Sequence, residues 1–199
     1  MIQSRQYAYI NSTPETCRDI LPKTWNIKDK FPSLCVGTDD LTITYSGFGL
    51  SSHDAAAIRT DNEIPKECGI FYFEVTIVDD GKDGYLAVGL MERQSNLQRL
   101  PGWDKNSYGY HADDGKAFNA SVNGEDYGPP YSRGDVIGCG LNRLRSTLFY
   151  TKNGLNLGAA CNKSVGNIHP AVGMQSTDCQ VKANFGQEPF MFDIDDYVM

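Results

Sequence analysis

The feature that most constrains this chain is a succession of short apolar or alternating runs, five to nine residues each, separated by turn-forming residues. LTITY (Leu41 to Tyr45) alternates apolar and polar side chains. IFYFEVTIV (Ile70 to Val78) is aromatic and β-branched, with Glu74 and Thr76 set into it. YLAVGLM (Tyr85 to Met91) is almost continuously apolar, as in a strand covered on both faces. VIGCGLN (Val136 to Asn142), STLFYT (Ser146 to Thr151), LNLGAA (Leu155 to Ala160), HPAVGM (His169 to Met174) and QVKANF (Gln180 to Phe185) continue the series. No window of ten or more residues holds a helical period. Asn153-Gly154 lies between two runs, and both residues tolerate positive φ, so it predicts a two-residue hairpin turn. Asp79-Asp80-Gly81 and Asn123-Gly124 mark further turns. Strands at this spacing predict an all-β antiparallel sandwich.

Two stretches lack the pattern, Ser46 to Pro65 and Glu92 to Tyr131, and are expected to be long irregular loops, where binding usually resides. Inside the first, DAAAIR (Asp54 to Arg59) reads either as one helical turn or as a short strand with small inward side chains. The chain has 199 residues, enough for one large domain and for a core that needs neither disulfides nor metal. Its net charge of −7 argues against a nucleic-acid or anionic-membrane partner, both of which call for a basic face. The six cysteines form no CxxC pair and several sit in apolar runs, so they are expected to be free, buried thiols in a reducing compartment. No run reaches the length of a membrane span. The first residues carry no apolar signal region, so the sequons at Asn11, Asn119 and Asn162 are expected to be idle.

The densest chemistry lies in RLPGWDKNSYGYHADDG, Arg99 to Gly115. There are three histidines, His53, His111 and His169, and nothing marks any of them as a catalytic base. No GxSxG, HExxH or P-loop pattern occurs. His111-Ala112-Asp113-Asp114 has metal-binding residue types but no partners at ligand spacing, and Lys116 and Ala117 follow where a calcium loop needs oxygen ligands. Asp113-Asp114-Gly115 is better read as a solvated turn. Leu97 and Leu100 are too few apolar anchors for a groove-binding helix, and Pro101 and Gly102 stop one. Tyr108-Gly109-Tyr110 alternates as a strand, with its tyrosine face in the core. Trp103 suits either core packing or an interface anchor. Arg99, Trp103, Tyr108 and Tyr110 are residue types that dominate binding energy at protein interfaces.

LPGWDKNSYGYHADDG, YGPPYSRGDVIGCGLN, FYTKNG and ANFGQEPFMFDIDDY, in that order, resemble the SPRY domain of the Ran-binding protein M family. LPKTWNIKDKF, LTITYSGFG and the Ile64-Pro65 step into GIFYFEV extend the resemblance upstream. It runs from Glu15 to Tyr197, leaving residues 1–14 as an N-terminal extension. The resemblance implies a bent antiparallel β-sandwich of the SPRY (B30.2-like, concanavalin-like) kind, with no catalytic activity, cofactor or metal. It implies a module that binds short peptides or partner proteins through loops at one end of the sheets. The matching positions are Phe48 and Leu50 in the first loop, Arg59, then Asp83 and Tyr85, then Arg99, Leu100, Pro101 and Trp103, and finally Gln175 and Ser176. SPRY proteins that read DINNN peptides carry an Arg-Pro step in the first loop. Here that loop is Gly47-Phe48-Gly49-Leu50, so the resemblance does not carry that specificity across.

The family also includes scaffold subunits of the GID/CTLH ubiquitin ligase, with LisH, CTLH and CRA segments after the SPRY domain. That implies recruitment of substrates to such a complex in the cytoplasm or nucleus, contact with other ligase subunits through regions beyond this chain, and a monomeric isolated domain. Rival readings are a stand-alone SPRY protein or secreted SPRY effector engaging host proteins and, from another class, a β-sandwich enzyme or lectin-like carbohydrate binder. Asp113 and Asp114 holding an ion would favour the latter class.

Overall fold

A computed structural model describes residues 14–198. Most of the N-terminal extension, with the sequon at Asn11, lies outside these residues. The short helix α1 (Glu15–Arg18) leads into β1 (Trp25–Lys30), β2 (Leu34–Val36), β3 (Thr42–Tyr45), a 3-10 turn at Ser52–Asp54, β4 (Ala56–Thr60), β5 (Ile70–Asp79) and β6 (Leu86–Met91). Then come β7 (Ser107–His111), β8 (Lys116–Asn119), β9 (Glu125–Asp126), β10 (Val136–Asn142), β11 (Thr147–Lys152), β12 (Leu155–Asn162), β13 (His169–Met174), β14 (Gln180–Asn184) and α2 (Ile194–Val198). Sheet I has the order β1-β4-β13-β6-β7-β8-β9, and sheet II the order β12-β11-β10-β5-β14-β3-β2. Neighbouring strands are antiparallel throughout. The expected all-β sandwich is therefore the observed fold.

The alternation of each strand explains how the layers meet, because successive side chains point to opposite faces. Sheet I sends Ile58, Leu86, Val88, Leu90, Tyr108, Tyr110, Val172 and Met174 inward, and Phe71, Phe73, Val75, Ile77, Leu141, Leu148 and Tyr150 of sheet II meet them in one core. At Asn153-Gly154 both φ angles are positive, 50° and 79°, as a twist-matched hairpin turn requires. The Asn153 amide also donates to the Val136 carbonyl, and its side-chain oxygen accepts from the Val136 amide, fastening the turn to β10.

Two expectations need correction. The stretches read as long irregular loops contain strands, β4 in the first and β8 and β9 in the second, besides β7, which the alternation of Tyr108-Gly109-Tyr110 predicts. Their alanines, glycines and short lengths carry little β signal. Asp54 to Arg59 takes the strand alternative, since the 3-10 turn lies upstream and ends at Asp54 and β4 begins at Ala56. Five cysteines are buried; Cys35 is exposed, and all six are free thiols.

Candidate interaction surface

The strand directions place the β3–β4, β5–β6, β7–β8 and β13–β14 connections at one end of the sandwich. Hydrogen bonds tie three of these loops into one rim. The Gln175 amide donates to the Tyr85 carbonyl at 2.8 Å, and the Lys82 amide to the Thr177 carbonyl at 3.1 Å. The Asp83 amide donates to the Ser176 hydroxyl at 2.7 Å, and the Thr177 hydroxyl to the Phe48 carbonyl at 3.1 Å. Gly49 has φ of +67°, and a Cβ there would run into the Gln175 carbonyl oxygen. Glycine is thus required for the first loop to lie against the last. Leu50 and Ser51 donate their amides to the Asp54 carboxylate, which fixes the other side of the first loop.

The loop of residues 92–106 starts at the opposite end, since it joins the C-terminus of β6 to β7. It reaches the rim by running back along the outer face of sheet I. Small residues line that face where the loop comes closest. Leu97 packs with Ala57, Met91 and Ala171, and Leu100 with Ala55 and Ala87. A Cβ on Gly109 would meet the Pro101 carbonyl, and one on Gly173 would meet Pro101 and Leu100. The Ala57 amide donates to the Leu97 carbonyl, and Gln98 Nε2 to the His53 carbonyl. Trp103 is half-buried, with its ring 5.5 Å from the His111 ring and 6.4 Å from that of Phe118. His111 Nε2 pairs with the Pro101 carbonyl at 2.8 Å. Burial pushes the His111 pKa down to about 4, outweighing the hydrogen bond to Pro101 and the charge of Asp114, which both raise it. The imidazole is therefore neutral at pH 7 and acts as the Nε2 donor under the loop.

The predicted residues divide into those the rim displays and those that build it. Phe48 is 83% exposed, Leu50 86% and Tyr85 41%, and Asp83 and Arg99 also face solvent. Leu100, Pro101, Gln175 and Ser176 are buried, so they hold the loops from beneath. Arg59 needs correction: it is 3% exposed and has no free face. Its guanidinium forms a two-point pair with Asp29, both distances 2.8 Å, and donates to the carbonyls of Glu92 and Ser95. Arg59 therefore positions the start of the 92–106 loop. Its partner Asp29, held below the usual carboxylate range chiefly by the hydrogen bond from Arg59, went unrecognised because it lies thirty residues away in sequence. Ala55 and Ala57, expected to point inward if DAAAIR is a strand, lie instead with Ala87, Ala171, Gly109 and Gly173 under this loop, and small residues at every second position are the readable sign of a closely approached face.

Asp113 and Asp114 are exposed at the β7–β8 turn, where the Lys116 amide donates to Asp114. Among the described residues no three His, Cys, Asp or Glu side chains group closely enough to share a metal ion. Tyr108 and Tyr110 face the core, so neither contributes to the rim.

A two-sheet sandwich that presents a hydrogen-bonded set of loops with exposed aromatic and aliphatic tips belongs to the class of loop-displaying β-sandwich modules. The comparisons with known proteins narrow that class. The SPRY domain family matches residues 70–188, and the chain belongs to it; SPRY domains are protein-interaction modules. The chain is 49% identical over 189 residues to Ran-binding protein 9 of Xenopus laevis, covering 95% of this chain and 34% of that relative. It is 35% identical to the Ran-binding protein M homolog of Arabidopsis thaliana, over 82% of this chain and 35% of the relative. The chain thus spans about a third of the length of these curated relatives. Among solved structures, a human SPRY domain superimposes with a TM-score of 0.68 at 34% identity, covering 78% of this chain and 97% of that one.

Proposed function

We propose that the chain is a noncatalytic recruiting module that grips a short extended segment of a partner protein across the rim. The observation that carries this reading is the exposure of Phe48 and Leu50 on a loop that hydrogen bonds hold in place. A single exposed apolar side chain is ordinary, but two large ones on one fixed loop, with exposed Tyr85 on the loop bonded next to it, make an apolar patch of the kind that meets a partner. Tyr85 flanks them across Gln175, and Arg99 supplies a charge suited to a backbone carbonyl or carboxylate. Because the loops are tied to one another, a ligand meets a preformed surface and pays little ordering entropy. The likeness to Ran-binding protein 9 supports placing this module in a scaffold of the GID/CTLH ubiquitin ligase type, working in the cytoplasm or nucleus. The free thiols agree with such a reducing compartment.

The test is affinity capture with Phe48→Ala, Leu50→Ala and Arg99→Ala variants, each checked for folding by circular dichroism, followed by identification of the captured proteins. Loss of the same partners from all three folded variants is expected, and ligase subunits or their substrates should be among those partners. Unchanged capture by all three would remove the rim from the binding surface.

A further inference from the structure

The opposite end of the sandwich has a different chemistry. There the β10–β11 turn (143–146), the segment 163–166 and Lys66 enclose an open cleft of about 350 Å³. Lys66, Arg143 and Lys163 line it together with the hydroxyl residues Ser146 and Ser164, and no carboxylate is among its lining residues. On a chain with a net charge of −7, three cations around one cleft are a local reversal of sign.

Arg143 fixes that charge in place. Its Nη1 donates to the Val165 carbonyl at 2.6 Å, and its Nη2 to the carbonyls of Ile64 and Gly166 at 3.3 and 3.2 Å. Its buried Nε has no hydrogen-bond partner, and among the described residues no carboxylate stands within ion-pair distance of the guanidinium. Carbonyl oxygens orient a guanidinium without neutralising it, and burial penalises the charge that remains. That burial depresses the Arg143 pKa, and Cys68, Glu63 and Glu67 only partly offset it. Lys66 and Lys163 are exposed, so their ammonium groups are mobile and can close on a bound anion.

We propose that this cleft binds a phosphomonoester dianion. A carboxylate offers one negative charge and two oxygens. A phosphomonoester offers nearly two charges and three acceptor oxygens, which matches three cations and two hydroxyl donors more closely. The cleft lies at the other end of the sheets from the rim, so this proposal stands or falls independently of the recruiting role.

The experiment is an amide NMR titration of the 199-residue chain with inorganic phosphate, N-acetyl-phosphoserine amide and, as the control anion, acetate. Saturable shifts at Ser146, Ser164 and Gly166 with both phosphates and not with acetate are expected. A Lys66→Gln/Lys163→Gln variant should bind about tenfold more weakly or worse; both side chains are exposed, so the fold should survive, with unchanged shifts elsewhere as the check. Tighter binding of the capped phosphoserine than of inorganic phosphate would assign the ligand to a phosphorylated partner protein, and equal binding to free phosphate. The proposal is wrong if phosphate moves none of these amides, if acetate moves them equally, or if the double variant binds as well as the parent.

Discussion

On the outer face of sheet I the loop of residues 92–106 lies against alanine and glycine, whereas on the outer face of sheet II the C-terminal segment lies against Tyr72 and Phe149. The consequences differ. Small residues let a main chain approach the sheet closely. The loop can then point Leu97 and Leu100 down while Arg99 stays in water. The aromatic face admits no such approach and is covered by side chains instead. Phe190 meets Tyr72 edge-on at 5.0 Å, Tyr197 meets Phe149 at 4.6 Å, and Ile194 is buried. One face becomes a stage that delivers side chains to the rim. The other becomes a closed flank, pinned by the buried Glu74 carboxylate, which accepts from the amides of Met191 and Phe192 at 3.0 and 2.9 Å and from the Tyr72 hydroxyl.

The largest expected effect tests the pinned flank. Glu74→Ala strips the part-buried amides of Met191 and Phe192 and the Tyr72 hydroxyl of an acceptor and should cost roughly 2–4 kcal/mol in urea unfolding, since an orphaned group costs about 1–3 kcal/mol when fully buried and less when water reaches it. A loss under about 1 kcal/mol would show that aromatic packing alone holds the segment.

The covered face of sheet I should instead be sensitive to acid through His111. Its pKa is about 4 in the fold against an ordinary 6.5, so the unfolded chain takes up the proton first as pH falls. The associated stability is complete above pH 6.5 and is lost as pH drops from 6.5 to 4, by at most about 3 kcal/mol. His111→Phe should flatten this part of the pH profile, leaving the contribution of His169, whose pKa burial also lowers. An unchanged profile would place the acid sensitivity elsewhere. Trp103→Ala uncovers the imidazole and should move the His111 titration toward its ordinary value, as read by NMR.

Gly109→Ala addresses the close approach itself. The added methyl meets the Pro101 carbonyl and should cost about 1–3 kcal/mol while weakening partner binding, because the Arg99–Trp103 segment is lifted. Full binding by this variant would mean that the shelf does not position the rim. The smallest stability effect belongs to Phe48→Ala and Leu50→Ala, expected within about 0.5 kcal/mol in thermal unfolding because both side chains are already in water. A larger loss would mean that they pack within the fold, which would remove their case as partner contacts.

How much of this was legible depended on the range of the interaction responsible. The strands with β-branched and aromatic alternation, such as Ile70 to Val78, and the Asn153-Gly154 turn follow from local sterics and were readable. The strand at Ala56–Thr60 was ambiguous because alanine signals neither strand nor helix once its neighbours are unknown. Arg99 to Trp103 stood out by residue type, yet its division into exposed Arg99, half-buried Trp103 and buried Leu100 and Pro101 was not readable. It depends on Gly173 and Ala87, which lie elsewhere in the chain. Arg59 was misplaced for the same reason, since its role is set by Asp29 and by two carbonyls more than thirty residues downstream.

Which segments become strands, where the tight turns fall and which residue types are available for binding follow from the amino-acid order, because those properties arise from backbone sterics and side-chain alternation over a few residues. Which polar groups are engaged internally and which meet water was settled by how sheets and loops pack. That packing stacked one loop on a shelf of small side chains, consumed Arg59 and His111 beneath it, left Phe48 and Leu50 exposed on the β3–β4 loop, and gathered three cations at the far end. Burial and electrostatics depend on what lies adjacent in space, and no local pattern along the chain specifies that.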